Sequence, residues 1–153
     1  MTLTTLEPIL REHRFFKDIA PDYLSLLVSC ASNVRFNGGD YLTKEGEEAN
    51  TFYLLRHGEV SVEIAIPGKG YQTVERLHEG DVVGWSWLFP PYRWNYSVHS
   101  SGLVRAIAMD GACLRRKSEE DHSLGYELMK RFNMIMLERL QATRMQVLDV
   151  YGK

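Results

Sequence analysis

Hydrophobic positions change their period twice along this chain. Over the first thirty residues Leu6, Ile9 and Leu10 recur at helical spacing, and Phe15 and Phe16 follow. Leu24, Leu26, Leu27 and Val28 come after Pro21, which sits where a helix tolerates proline early. This pattern predicts a helical lead-in over 1–30. From Val34 to Met109 short β-prone runs are separated by turn signals at Asn37-Gly38-Gly39-Asp40, Glu45-Gly46-Glu47, His57-Gly58-Glu59, Pro67-Gly68-Lys69-Gly70 and His78-Glu79-Gly80-Asp81. Glycine punctuation at that interval predicts an antiparallel sandwich or barrel over 34–109. Its clearest strand is Val60–Ile66, where Val60, Val62, Ile64 and Ile66 share one face and are expected to enter the core. The Gly68-Lys69-Gly70 turn closes a hairpin onto Tyr71–Leu77.

Beyond Met109 the period is helical again, over 110–150. Ser118-x-x-Asp121 offers a capping signal, and from Ser123 to Val150 there is no proline. At about 1.5 Å per residue that helix reaches roughly 42 Å, more than a domain this small needs. One stripe runs through Leu124, Leu128, Phe132, Ile135, Arg139, Thr143 and Val147, while Met134, Leu137, Met145 and Leu148 form a second apolar face. Either the stripe is simply wide and faces one core, or the second face meets another surface. The second reading predicts a parallel or crossing homodimer seam along Ser123–Val150.

Composition narrows the picture. The 153 residues are 44% hydrophobic and 25% charged, which suits one globular domain over 1–153. A formal net charge of -2 provides no field to draw the chain onto nucleic acid or an acidic membrane, so direct DNA binding is not expected. Cys30 and Cys113 are far apart in sequence and form no C-x-x-C pair, so neither a disulfide framework nor a thiolate metal site is indicated, and a reducing, cytoplasmic setting is expected. Residues 1–20 carry charges throughout, and the most apolar stretch, Val82–Phe89, is far shorter than a membrane span; neither export nor membrane insertion is expected.

The chemistry concentrates in Gly80–Tyr96, which holds all three tryptophans, Trp85, Trp87 and Trp94, around Arg93. Aromatic walls beside one strong anion binder suggest a site for a small organic phosphate. Gly84-Trp85-Ser86-Trp87-Leu88 begins like a nucleophile elbow, but it lacks the final glycine and lies in an all-β context, so an enzyme is not expected. The five histidines show no metal-ligand spacing, and no metal or cofactor is implied.

Several segments resemble the cyclic nucleotide-binding domain of the Crp/Fnr regulator family. Phe36-x-x-Gly39-Asp40-Tyr41-Leu42 and Lys44-Glu45-Gly46-Glu47 are similar to its first strands, and Phe52-Tyr53-Leu54-Leu55-x-x-Gly58-Glu59-Val60 to its most recognisable hairpin. Leu77-x-x-Gly80-Asp81-x-x-Gly84 is similar to the entry of its phosphate-binding cassette. The resemblance implies a mainly β fold with flanking helices: a double-stranded β-helix, or jelly-roll, barrel plus a long C-terminal dimerisation helix. It also implies a ligand-sensing regulator.

In that family the backbone N–H groups of a short helix and an arginine hold the cyclic phosphate. A glutamate accepts from the ribose hydroxyl, and a small hydroxyl residue assists the phosphate. Arg93 matches the arginine, and the amides around Ser86, Trp87 and Leu88 match the short helix. Trp85 stands at the glutamate position after Gly84, and Trp94 at the hydroxyl position after Arg93. An indole offers only an N–H donor, so a carboxylate reading of ribose is lost. Three outcomes stay open: a cyclic nucleotide such as cyclic AMP or GMP with altered contacts, another small phosphate, or an empty pocket. Gly84, Trp85, Ser86, Trp87, Arg93 and Trp94 are the candidate ligand contacts. Thr143 joins them, because it lies where relatives place a hydroxyl that reaches the purine. Leu148-Asp149-Val150-Tyr151-Gly152 is similar to the hinge that leads to a DNA-binding helix-turn-helix in relatives, so signalling is expected to pass to a separate protein, whose identity the residues do not specify.

Overall fold

Eight short strands pair into two four-stranded antiparallel sheets, which stack as a jelly roll. In the computed structural model, which describes residues 2–152, they are β1 Ala31–Phe36, β2 Tyr41–Thr43, β3 Thr51–His57, β4 Val60–Ile66, β5 Gly70–Leu77, β6 Val82–Val83, β7 Ser97–Ser100 and β8 Val104–Asp110. One sheet has the order β1-β8-β3-β6 and the other β2-β7-β4-β5. Each of the five glycine turns lies between strands, as their spacing predicts. Leu42, Leu55, Val60, Val62, Leu77, Val83, Val98, Val104 and Ala106 form the apolar core of the roll. The turn between β3 and β4 depends on Gly58, whose φ is +93° and where a Cβ would strike the Leu103 carbonyl oxygen.

Val60 and Val62 enter the core as expected, but Ile64 and Ile66 do not; they remain 39% and 38% exposed. The reason lies in the pairing. β7 lies along Val60–Glu63 only, and the β4–β5 register shifts between Val62 and Glu63. Beyond that bulge β4 pairs with β5 alone among the described strands, and its side chains from 64 to 66 lie exposed.

Two helices and a turn precede the roll: α1 Thr2–Glu12, a 3₁₀ turn Arg14–Phe16, and α2 Pro21–Val28. Leu6, Leu10, Phe16, Leu24 and Leu27 are buried, and the rings of Phe15 and Phe52 meet at 6.0 Å. His13 joins this layer to β3. Its Nε2 lies 3.0 Å from the Leu55 carbonyl oxygen, and its Nδ1 accepts from the Phe15 amide at 3.1 Å. These partners require the neutral ring with the proton on Nε2.

The chain divides into two compact units, Met1–Arg116 and Lys117–Lys153. Helix α3, Gly111–Glu120, begins in the first unit and ends in the second, and α4 runs from His122 to Tyr151. The cap of α4 is Asp121, not Ser118: its carboxylate accepts from the amides of Ser123 and Leu124 at 3.1 and 3.2 Å. A Cβ at Gly125 would lie 3.2 Å from Ser118 Cβ, so the glycine that weakens the first turn lets the two helices approach closely. Leu124, Leu128 and Phe132 are buried, whereas every residue from 141 to 152 is exposed. Among the described residues no helix is long and apolar enough to cross a membrane.

The expectation of two separate thiols fails. Cys30 and Cys113 form a disulfide, with Cα atoms 5.8 Å apart and a separation of 83 positions in sequence. Antiparallel pairing of β1 with β8 sets Ala31 opposite Met109, which carries the two cysteines to the same end of one ladder. Closing so long a loop restricts the unfolded chain by about 4 kcal/mol in the entropic view.

Burial pushes the His13 pKa below an ordinary histidine's 6.5, against the raising effect of its bond to Leu55. As pH falls through 6.5 the unfolded chain takes up this proton first, so the His13 share of stability is intact above that value and is lost below it. Thermal melts between pH 7.5 and 5.5 should therefore show falling Tm, with a shallower fall in His13→Gln; an unchanged slope would dissociate His13 from the acid sensitivity.

Candidate ligand-binding site

The loop that links the two sheets is built from Gly80 to Tyr96. At its entry the Gly80 amide donates to the Leu55 carbonyl and the Leu55 amide to the Asp81 carbonyl, both at 2.9 Å. The Asp81 carboxylate accepts from the His78 amide at 2.8 Å and from Arg14 Nη2 at 2.6 Å, which ties the loop to the helical lead-in. After β6, Gly84 takes φ of +97°, and Ser86–Leu88 make one 3₁₀ turn. A cis bond joins Pro90 to Pro91, and Tyr92 then adopts φ of +56°.

Tyr92 is a non-glycine residue in left-handed backbone, a conformation that costs about 1 kcal/mol and persists only when its surroundings impose it. Here they do. Its amide donates to Phe89, its carbonyl accepts from the Ala49 amide at 2.7 Å, and the Arg115 guanidinium lies 4.3 Å from its ring centroid. The loop exit is then zipped to the β2–β3 connection. Trp94 N donates to Glu47 O at 2.9 Å, Gly46 N donates to Trp94 O at 2.8 Å, and Glu48 forms an antiparallel bridge with Arg93.

Extended backbone sends alternate side chains to opposite faces, so this zipper decides where Arg93 and Trp94 point. Trp94 goes inward and is 5% exposed; Arg93 goes outward, is exposed, and donates through Nη1 to the Gly46 carbonyl oxygen at 3.3 Å. The Trp94 indole lies over Gly84, where a Cβ would overlap Cη2 and Cζ3 of the ring, and it tilts against Tyr96 at 5.9 Å. Trp87 is 1% exposed and stacks on Phe52 with centroids 5.1 Å apart, so its indole is core, not a ligand wall. Trp85 is half-buried and caps the 3₁₀ turn, its carbonyl accepting from the Leu88 amide.

Ser86 is buried, and its Oγ has no hydrogen-bond partner among the described residues. Gly84, Trp85, Ser86, Trp87 and Trp94 thus line one loop, while Arg93 leaves it on the outer side. Thr143 belongs to the second unit. It is exposed, and its Oγ1 donates to the Arg139 carbonyl at 2.9 Å, a bond within its own helix.

Sequence reasoning missed Arg115. Its Nη1 donates to the Trp87 carbonyl while its guanidinium covers Tyr92, so a single side chain holds both arms of the loop. It stands among Arg116 and Lys117, where no one-dimensional pattern sets it apart. Among the described residues no cluster of three or more His, Cys, Asp or Glu side chains is placed to hold a metal ion.

The model of the cyclic nucleotide-binding domain family matches residues 33–121. The chain belongs to that family. Over 106 residues this cyclic nucleotide-binding domain is 32% identical to human cGMP-dependent protein kinase 2, a match that covers 69% of this chain and 13% of the kinase. The chain therefore spans a small part of that relative's length. A Geobacter metallireducens protein assigned to the cyclic nucleotide-binding class shares 27% identity over 92% of this chain and 98% of its own, with a TM-score of 0.77. The catabolite activator protein of Thermus thermophilus matches in fold, with a TM-score of 0.70 at 17% identity over 91% of this chain and 63% of its own. The roll is that of the Crp/Fnr-type domains.

Gly84→Ala should force Trp94 out of its seat and strain the backbone, lowering stability by roughly 2–4 kcal/mol. The check is a thermal melt followed by tryptophan fluorescence, where a Tm equal to wild type would show that the indole does not depend on this glycine.

Proposed function

We propose that the chain is a regulatory, non-catalytic module that senses a small phosphate-bearing ligand of the cyclic nucleotide type in the Gly80–Tyr96 loop. The observation that carries this reading is Ser86 Oγ, a buried hydroxyl without a partner in the segment that corresponds to the family's cassette. Leaving such a group unpaired costs about 1–3 kcal/mol, which a ligand oxygen would offset. The cGMP dependence named in the kinase relative supports a cyclic nucleotide. Backbone alternation sends Arg93 to the outer face, where its exposed guanidinium donates to a neutral carbonyl, and exchanging that bond for phosphate oxygens is favourable. Half-buried Trp85 offers a ring face where relatives offer a carboxylate, so stacking on it replaces that contact, while Trp94 stays packed on Gly84.

The output of this module runs through α4, in a homodimer. At about 100° per residue, Leu137, Leu140, Leu148 and Tyr151 cluster roughly 160° around the helix from the buried Leu124, Leu128 and Phe132. All four are exposed, from 45% at Leu137 to 84% at Tyr151. A helix with two separated apolar faces has a second surface to cover, and another copy of the same helix fits it. Ligand that binds one arrangement of the α4 pair better than another shifts the population between them and so presents a different surface to a downstream protein.

One observation favours a second reading, a dimeric scaffold that no longer binds nucleotide: Trp94 is buried against Gly84, and Arg93 leaves the pocket. Calorimetric titration with cyclic AMP, cyclic GMP and cyclic dinucleotides separates the two. The sensor reading expects heat from at least one of them on the wild type, with affinity reduced about tenfold or more in Arg93→Ala and several-fold in Ser86→Ala. No heat from any of these probes would favour the scaffold. In sedimentation the wild type should run as a dimer and the double variant Leu140→Glu, Leu148→Glu as a monomer. A wild type that stays monomeric at high concentration would end the dimer reading.

A further inference from the structure

We propose that the Cys30–Cys113 pair is a thiol–disulfide switch that sets how firmly α3 holds the loop Gly80–Tyr96. The disulfide lies in the first turn of α3, and two residues later Arg115 donates to the Trp87 carbonyl and stacks on Tyr92. One helix turn therefore connects a redox-sensitive bond to the side chain that grips both arms of the loop. The first residue of α3 stays beside the loop, since the Gly111 amide donates to Asn50 O at 2.7 Å and a Cβ at Gly111 would lie 3.0 Å from Trp87 Cβ, so the disulfide acts on the turn that follows it.

The bond is not needed to bring the strands together. Ala31 already pairs with Met109, and the Asp110 amide donates to the Cys30 carbonyl at 2.8 Å. What the disulfide adds is a tether on α3 itself, so opening it releases the helix turn while the β1–β8 ladder persists. Release of that turn slackens Arg115, and the loop around Ser86 and Tyr92 opens more often.

Cys113 is the more exposed partner and Cys30 is buried, so an incoming thiolate attacks the Cys113 sulfur and the Cys30 thiolate leaves. These are the only two cysteines in the chain, which supplies no resolving thiol. The second thiol therefore comes from the reductant: with a dithiol, its second sulfur displaces Cys113 from the mixed disulfide. Two electrons and two protons pass to the protein, giving two thiols, and the dithiol becomes a cyclic disulfide. A disulfide such as oxidised glutathione reverses the exchange in two steps.

Hydrogen exchange read by mass spectrometry tests the proposal on the full chain, with dithiothreitol as the reductant and oxidised glutathione as the oxidant. In the reduced protein, amides of residues 85–95 should exchange at least tenfold faster than in the oxidised protein, with a smaller change across β4 and β5, and reoxidation should restore protection. Arg115→Ala should show the fast loop while still oxidised and gain little more on reduction. Cys113→Ser should resemble the reduced wild type under both conditions. The proposal is overturned if intact mass shows that the oxidised chain retains both thiols, or if dithiothreitol reduces the bond only in denaturant. Equal loss of protection everywhere, or none in the loop, would likewise reduce the bond to a structural tie.

Discussion

The seat of the Trp94 indole on Gly84 governs the rest of the loop. Only glycine can occupy that position, because its φ is positive and a side chain would overlap the ring. With the indole in place, Trp94 must face inward, and the alternation of an extended chain then sends Arg93 outward. The backbone can make that exit only by passing through Tyr92 in left-handed conformation, which Phe89, Ala49 and the Arg115 guanidinium together impose. The orientation of the arginine thus follows from how an aromatic ring is packed two positions after a strained tyrosine.

Three other attachments hold this loop. The lead-in helices grip its entry through Arg14 and Asp81, while His13 fastens the same layer to the carbonyl of Leu55, which belongs to the strand beside that entry. The exposed Arg14–Asp81 pair contributes little stability on its own, on the order of 1 kcal/mol or less, yet it fixes geometry because Asp81 also accepts from the His78 amide. At the other side α3 grips the loop through Gly111 and Arg115. The segment that would meet a ligand is therefore the junction of helix layer, roll and α3, and a change at any of these is felt there.

How much of this was legible in one dimension varies by element. The strands were legible because glycine turns and a period of two report local backbone demands, and the long helix because its period of 3.6 runs without proline. Ile64 and Ile66 misled, since their alternation is real but the pairing of β4 with β7 ends at Glu63, a fact of pairing between distant segments. Ser118 and Asp121 formed a plausible capping pair, yet only Asp121 lies at the helix start. The tryptophans were read as one wall, but Trp87 stacks on Phe52, thirty-five positions earlier, and belongs to the core. Thr143 was named from resemblance, and its hydroxyl is engaged with its own helix.

By itself the sequence determined the order and type of the elements and an antiparallel sandwich or barrel between helices, because residue identity and short spacing report local backbone demands. The jelly-roll class, the cassette segment, and tryptophan at 85 and 94 in place of a carboxylate and a small hydroxyl were what the resemblance to the family implied. The tertiary structure alone decided that Cys30 and Cys113 are bonded, that Arg93 faces outward, that the buried Ser86 hydroxyl has no hydrogen-bond partner among the described residues, and that Arg115 clamps the loop. Each of those depends on two segments far apart in the chain meeting in a particular register. Spacing along the chain carries no record of that meeting, because long-range pairing is set by the whole core and not by any one window of residues.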